Sequence, residues 1–284
     1  MRADAILTLS CPDRPGIVAA VSQVLFEHGA NIEESQQFDD VRTDRFFMRI
    51  AFSIAEGGPN VEQWRGILAP TAERLGMEWA VWDGHRPFRT MVMVSRFGHC
   101  LNDLLFRWKS GALNIDIPVI VSNHPDLGPL AAMYGIPFVV IPVSTATKDE
   151  AEARVRDVIA EHDIDLVVLA RYMQILSDGL SRDLSGRVIN IHHSFLPSFK
   201  GAKPYHQAFG RGVKLVGATA HYVTADLDEG PIIEQDVVRV DHRMAADDLV
   251  RAGEECESRV LARAVKWHSE SRVLLNGDRT VVFS

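Results

Sequence analysis

Five short apolar runs recur through the last two thirds of the chain: Met91 to Val94, Pro118 to Val121, Phe138 to Ile141, Leu166 to Leu169 and Val188 to Ile191. Each is nearly continuous and rich in β-branched residues, and helically patterned segments such as Asn102 to Trp108 and Glu150 to Glu161 separate them. Strands without polar alternation are buried on both faces, and strands that alternate with helices are joined by crossovers. This stretch therefore predicts a doubly wound, mostly parallel α/β sheet of the Rossmann-like kind. Ligands of such sheets bind beyond the carboxyl ends of the strands, so the residues after each run are where chemistry belongs.

The chain before these runs is built differently. Ala5 to Ser10 alternates as a strand, and Ile17, Val21, Val24 and Leu25 recur at helical spacing until Gly29. Ile32 to Phe38 and Arg45 to Ile54 read as strands joined by a polar turn. Val61 to Leu75 reads as a helix disturbed by Pro70, and Met77 to Trp82 as a strand. The order βαββαβ predicts a ferredoxin-like unit with two helices on one face of an antiparallel sheet. Turn formers and a proline at Asp83-Gly84-His85-Arg86-Pro87 mark the linker, giving expected domains 1–84 and 85–284.

Charge and cysteine content narrow the function. A net charge of −8 over 284 residues disfavours a partner held by phosphate neutralisation, so no nucleic acid is expected. Cys11, Cys100 and Cys256 are odd in number and far apart, without metal-type spacing, which fits a reducing cytoplasm. The N-terminus reaches Asp and Pro before any signal-length apolar run, and no stretch has the roughly 18 apolar residues that span a bilayer; export and membrane insertion are not expected.

The fifth run continues into Asn190-Ile191-His192-His193-Ser194, and strand alternation puts Asn190 and His192 on one face. Further on, Gly217 to Val223 and Ile232-Ile233 are apolar strands separated by a turn carrying Asp228. Asn and His donors suit an oxygen that gains charge in a tetrahedral intermediate, and a nearby carboxylate can take a proton from a nucleophile, a set suited to acyl transfer. Gly-x-Ser-x-Gly is absent, so attack by a separate acceptor is expected in place of an acyl-enzyme. Taken singly, each residue also fits a turn former, a satisfied histidine or a turn cap.

Two resemblances sharpen this. Asp13-Arg14-Pro15-Gly16-Ile17 and Gly29-Ala30-Asn31-Ile32, within the βαββαβ order, resemble the ACT family of amino-acid-sensing domains over residues 1–84. The resemblance implies homo-oligomerisation as a dimer or tetramer, and an effector such as glycine or methionine at a site that includes Gly16 and Asn31. From about Arg89 to His268, Asn190-Ile191-His192 with Ser194-Phe195-Leu196-Pro197-Ser198-Phe199-Lys200-Gly201, His221 and Leu227-Asp228-Glu229-Gly230-Pro231 resemble the folate-dependent formyltransferase family. That resemblance makes Asn190, His192 and Asp228 catalytic and lays the folate ring against Met173, Gln174, Ile175 and Leu176, residues that could otherwise be ordinary core.

The acceptor is expected to be water. Ribonucleotide formyltransferases carry a glycine-rich phosphate loop after the first strand, whereas Ser95-Arg96-Phe97-Gly98-His99-Cys100 has one glycine and a bulky Phe97. The tRNA-formylating relatives append an RNA-binding domain, and this chain ends about sixteen residues after its last long helix. An ACT-like domain ahead of this catalytic domain is the arrangement of the formyltetrahydrofolate deformylase family. Ser122-Asn123-His124, Gly135-Ile136-Pro137-Phe138, Ala170-Arg171-Tyr172-Met173-Gln174-Ile175-Leu176 and Lys200-Gly201-Ala202-Lys203-Pro204-Tyr205-His206-Gln207 resemble that family's own strings. The resemblance implies hydrolysis of 10-formyltetrahydrofolate to tetrahydrofolate and formate, formate supply to purine biosynthesis, and no permanently bound cofactor.

The expected mechanism has Asp228 deprotonating a water, His192 and Asn190 stabilising the oxyanion, and His221 holding Asp228, whose pKa partial burial should raise above about 3.9. Three alternatives stand beside it. One is transfer to glycinamide ribonucleotide. A second is a folate-binding regulatory protein without turnover, which has no need of Asn190, His192 and Asp228 together. The third is a metal held by His192, His193, His206 and His221, for which the usual spacing is missing and His193 should point away from His192.

Overall fold

A computed structural model describes residues 3–197 and 204–284. Ser198 to Lys203, part of the strings quoted above, lie outside the described residues. Two compact units form. One comprises residues 1–87 with 270–276 and 280–284, the other residues 88–269 with 277–279.

The first unit runs β1 (Ala5–Pro12), α1 (Ile17–Glu27), β2 (Ala30–Asp40), β3 (Arg45–Ile54), α2 (Val61–Leu75) and β4 (Glu78–Asp83). Its antiparallel sheet has the order β2-β3-β1-β4, the expected ferredoxin-like arrangement. Leu7 and Leu9 of β1, Met48, Ile50 and Phe52 of β3, and Ile17, Val21, Leu25, Trp64 and Leu68 of the helices share one core. Pro70 lies inside α2 without ending it. Burial of Trp64, Leu68 and Ala72, with an Asn60–Gln63 capping box, outweighs the one backbone hydrogen bond that proline removes. Gly16 precedes α1 at φ +93, a left-handed conformation that favours glycine, and Asn31 is exposed near the start of β2, which pairs on one side only.

The end of the chain corrects the expected boundary at 284. Residues Val273–Asn276 (β12) and Arg279–Val282 (β13) form a hairpin, and Leu274, Val281 and Phe283 pack with Phe47. Successive β3 residues face opposite ways, so Met48 enters the helix-covered core while Phe47 meets the hairpin. Arg49 donates to Glu34 (2.7 Å) and to the Glu270 carbonyl, and Asn276 donates to Asp40 (2.7 Å).

The second unit runs β5 (Phe88–Val94), α3 (His99–Lys109), β6 (Ile115–Ser122), α4 (Gly128–Met133), β7 (Phe138–Val140), α5 (Lys148–Glu161) and β8 (Leu166–Leu169). It continues with α6 (Asp178–Asp183), β9 (Val188–His192), α7 (Pro204–Arg211), β10 (Leu215–Tyr222), β11 (Ile232–Arg239) and α8 (Ala246–Ser269). Its seven-stranded sheet has the order β11-β10-β9-β8-β5-β6-β7. The pairs from β7 to β9 are parallel, and β10 and β11 are antiparallel additions at one edge. The chain goes outward from β5 through β6 and β7, then returns to β8 on the other side of β5. A crevice opens at such a reversal.

His268, near the end of α8, is half-buried, and the Tyr222 hydroxyl donates to its Nδ1 at 2.7 Å. Burial pushes its pKa down to about 4. Between pH 6.5 and about 4 the unfolded chain therefore binds a proton that the folded chain refuses, so this contribution is intact above pH 6.5 and is lost as pH falls. Its full size is about 3 kcal/mol. Comparing urea midpoints at pH 7 and 4.5 should show a smaller drop in His268→Gln than in the unmodified protein.

Candidate active site

Asn190 and His192 share one face of β9, and antiparallel pairing sets His221 of β10 opposite Asn190. A register shift between Ala220 and His221 interrupts the pairing of β10 with β11 at this point, a local distortion able to re-aim a side chain. The connection 223–231 then folds back over the sheet, closed by the Tyr222 N–H donating to the Pro231 carbonyl (2.9 Å). Asp228 sits in this connection at φ +57, a left-handed conformation that Asp tolerates better than most residues. Gly230 permits the close return, since a Cβ there would overlap the Tyr222 carbonyl and press on His221. Gly230→Ala is expected to cost about 2 kcal/mol of stability and to displace Asp228, read as a lower denaturation midpoint together with lower turnover.

The hydrogen bonds define protonation. The Tyr222 carbonyl only accepts, so His221 Nδ1, 2.9 Å from it, carries the hydrogen. Burial lowers the His221 pKa, which keeps the ring neutral and leaves Nε2 to accept from Asn190 Nδ2 at 3.2 Å. One amide N–H is thereby used and the amide is oriented. Asp228 Oδ1 lies 3.8 Å from His221 Nε2 but 3.2 Å from His192 Nδ1. The histidine holding Asp228 is therefore His192, and His221 supports Asn190.

The hydrogen bond from His192 also reverses an expectation. It lowers the Asp228 pKa, outweighing the rise from burial, because the carboxyl is only partly buried and touches its donor directly. Asp228 stays ionised and accepts the Nδ1 hydrogen. His192 Nε2 is buried with no hydrogen-bond partner among the described residues. An unpaired buried polar atom costs about 1–3 kcal/mol, which marks a group kept for something other than stability.

These side chains line a cavity of about 300 Å³ that also contains Arg171, Met173, Gln174, Ile175, Leu176 and His193. Met173 and Ile175 are 50% and 60% exposed, so neither is ordinary core, while Leu176 packs on the sheet. Ser95 was legible only as part of a loop, yet it ties this wall together. Its hydroxyl donates to Asn123 (2.6 Å) and accepts the Met173 N–H (3.0 Å), joining the ends of β5, β6 and β8.

His193 does not point away. β9 ends at His192, alternation stops there, and the two imidazoles stack 5.2 Å apart on the same cavity. Burial pushes the His193 pKa down to about 4. The four-histidine metal set does not assemble among the described residues: His206 is exposed on α7. The group whose donor atoms do converge is His99, Cys100 and Glu257, and Glu257 is already engaged by His99, Tyr205 and Arg171.

A formyl transferase family model matches residues 88–265, and an ACT domain model matches residues 5–63. The chain is 50% identical to a formyltetrahydrofolate deformylase of Corynebacterium sp. (strain P-1), covering 98% of this chain and 97% of that one. It is 47% identical to a formyltetrahydrofolate deformylase of Bacillus subtilis (strain 168), covering 98% and 93%. The crystal structure of a formyltetrahydrofolate deformylase from Burkholderia mallei superposes with a TM-score of 0.95 at 53% identity, covering 99% of this chain and 100% of that one. A glycinamide ribonucleotide transformylase from Symbiobacterium toebii is more distant, with a TM-score of 0.66 at 28% identity over 72% of this chain and 97% of its own. With both domains matched and about half its residues shared along almost the whole length of such relatives, the chain belongs to the formyltetrahydrofolate deformylase family.

Proposed function

We propose that the chain hydrolyses 10-formyltetrahydrofolate to tetrahydrofolate and formate, with water as the formyl acceptor. The observation that carries this reading is the meeting of an ionised Asp228, His192 Nε2 and the Asn190 amide on one cavity beside Met173, Gln174, Ile175 and Leu176. The apolar side chains take the face of the folate ring. The free N–H of Asn190 donates to the formyl oxygen. Neutral His192 accepts a water proton at Nε2 while Asp228 stabilises the resulting imidazolium through Nδ1, and hydroxide adds to the formyl carbon. The tetrahedral intermediate collapses with the imidazolium proton passing to the folate nitrogen, the C–N bond breaks, and the formic acid released gives up its proton to solvent to become formate. No metal, redox step or resident cofactor enters this scheme.

The test is release of formate from 10-formyltetrahydrofolate with no acceptor added. Steady acceptor-free turnover is expected. A protein that turned over only when glycinamide ribonucleotide was supplied would be a transferase, and one that bound the folate without consuming it would be a regulatory binding protein.

The first unit takes a small amino-acid effector, glycine or methionine, between the loop at Gly16 and Asn31, and pairs with a second copy in a cytoplasmic dimer or tetramer. The glycine conformation at Gly16 and the exposed Asn31 support this reading. Among the described residues no helix is long and apolar enough to cross a membrane. A thermal-shift screen of the twenty amino acids should single out one of the two, since a ligand at a hundred times its dissociation constant adds about 2.7 kcal/mol. No shift with either would remove the effector site.

A further inference from the structure

One wall of the cavity has no part in the hydrolytic scheme. Arg171 follows β8 with its backbone at φ +66, where a side chain larger than glycine costs roughly 1–2 kcal/mol. Its side chain is only 10% exposed, lies over the Phe97 ring with Cζ 5.0 Å from the centroid, and brings Nε to 3.4 Å from Glu257. Glu257 is held in turn by His99 Nε2 at 2.8 Å and by the Tyr205 hydroxyl at 2.6 Å. Burial opposes its ionisation, but the hydrogen bond from His99 and the Arg171 charge keep its pKa low. Gly253, one turn earlier on α8, makes room, since a Cβ there would overlap the Tyr205 ring. Elements far apart in sequence thus fasten one guanidinium in place.

We propose that Arg171 and Phe97 form a plug that closes the acceptor side of the formyl site, admitting water and excluding larger amine nucleophiles. This inference rests on the hydrolytic reading above. Phe97 belongs to the loop that stands where ribonucleotide formyltransferases, by resemblance, carry their phosphate-binding glycines. Arg171 touches Phe97 and also lines the cavity shared by Asn190, His192 and Asp228. A nucleophile anchored on that loop would have to pass through the volume these two side chains fill.

The chemistry of the plug adds to its size. An amine acceptor brings N–H donors and, when protonated, a positive charge. A guanidinium offers donors only and the same charge, so it repels the protonated amine and leaves the N–H donors of the neutral amine without an acceptor. Water can accept from the guanidinium, whose Nη1 has no hydrogen-bond partner among the described residues.

The experiment supplies 10-formyltetrahydrofolate and glycinamide ribonucleotide together and measures the ratio of formyl transfer to formate release. It compares the unmodified protein, Phe97→Gly and the double variant Arg171→Gly with Glu257→Gln. The double variant removes both buried charges, so neither is stranded. Phe97→Gly leaves the Arg171–Glu257 pair intact and changes a half-exposed side chain, so the test does not depend on the double variant folding. The expected result is a transfer ratio at least about tenfold higher in the variants, the scale on which pocket size discriminates between substrates. Folded variants whose ratio stays at that of the unmodified protein overturn the plug. Failure of the unmodified protein to release formate without an acceptor overturns the hydrolytic reading instead.

Discussion

Asp228→Asn is expected to lower kcat for formate release by about 10²–10⁴-fold, the range that general-base assistance supplies. The replacement keeps the shape and can still accept the His192 Nδ1 hydrogen, so the denaturation midpoint should stay near that of the unmodified protein. What it removes is charge. Asp228 is held ionised by His192, 3.2 Å away, and only an anion stabilises the imidazolium formed when a proton leaves water. Steady-state formate release measured alongside thermal unfolding checks the pair of expectations. Near-normal turnover in a folded Asp228→Asn protein would remove Asp228 from the scheme.

His192→Ala should lose at least two orders in turnover, because the same ring both takes the water proton and returns it to the folate nitrogen. If His192 and Asp228 act as one unit, their losses do not multiply. The double variant should fall little below the worse single variant, whereas independent roles would give the product of the two. His221→Ala provides the contrast. Its ring orients the Asn190 amide and lies 3.8 Å from Asp228, so it should weaken oxyanion stabilisation without the collapse expected of the pair. Equal losses in His221→Ala and His192→Ala would return His221 to the role of holding Asp228.

Much of this fold was legible because burial and local backbone preference act at short range. The uninterrupted runs in β5, β6 and β8 reflect strands covered on both faces, and the alternation of β1 reflects a sheet with one apolar core. The terminal hairpin is legible in the sequence too. Gly277-Asp278 between Val273-Leu274-Leu275-Asn276 and Arg279-Thr280-Val281-Val282 is a two-residue turn signal. Its destination was not legible, because nothing in residues 270–284 names Phe47 and Arg49 as the surface they cover.

By itself the sequence determined the two architectures, the placement of Asn190 and His192 on one face of a strand, and the apolar Met173 to Leu176 segment, since each follows from periodicity or composition within a few residues. The tertiary structure alone decided which groups touch. It paired Asp228 with His192 in place of His221, lowered the carboxyl pKa that burial was expected to raise, turned His193 into the cavity, and set Arg171 against Phe97 and Glu257. The physical reason is the same in each case. Hydrogen bonds and charge interactions change over an ångström or less, and separations that fine are set by strand register, a bulge and the return of a loop.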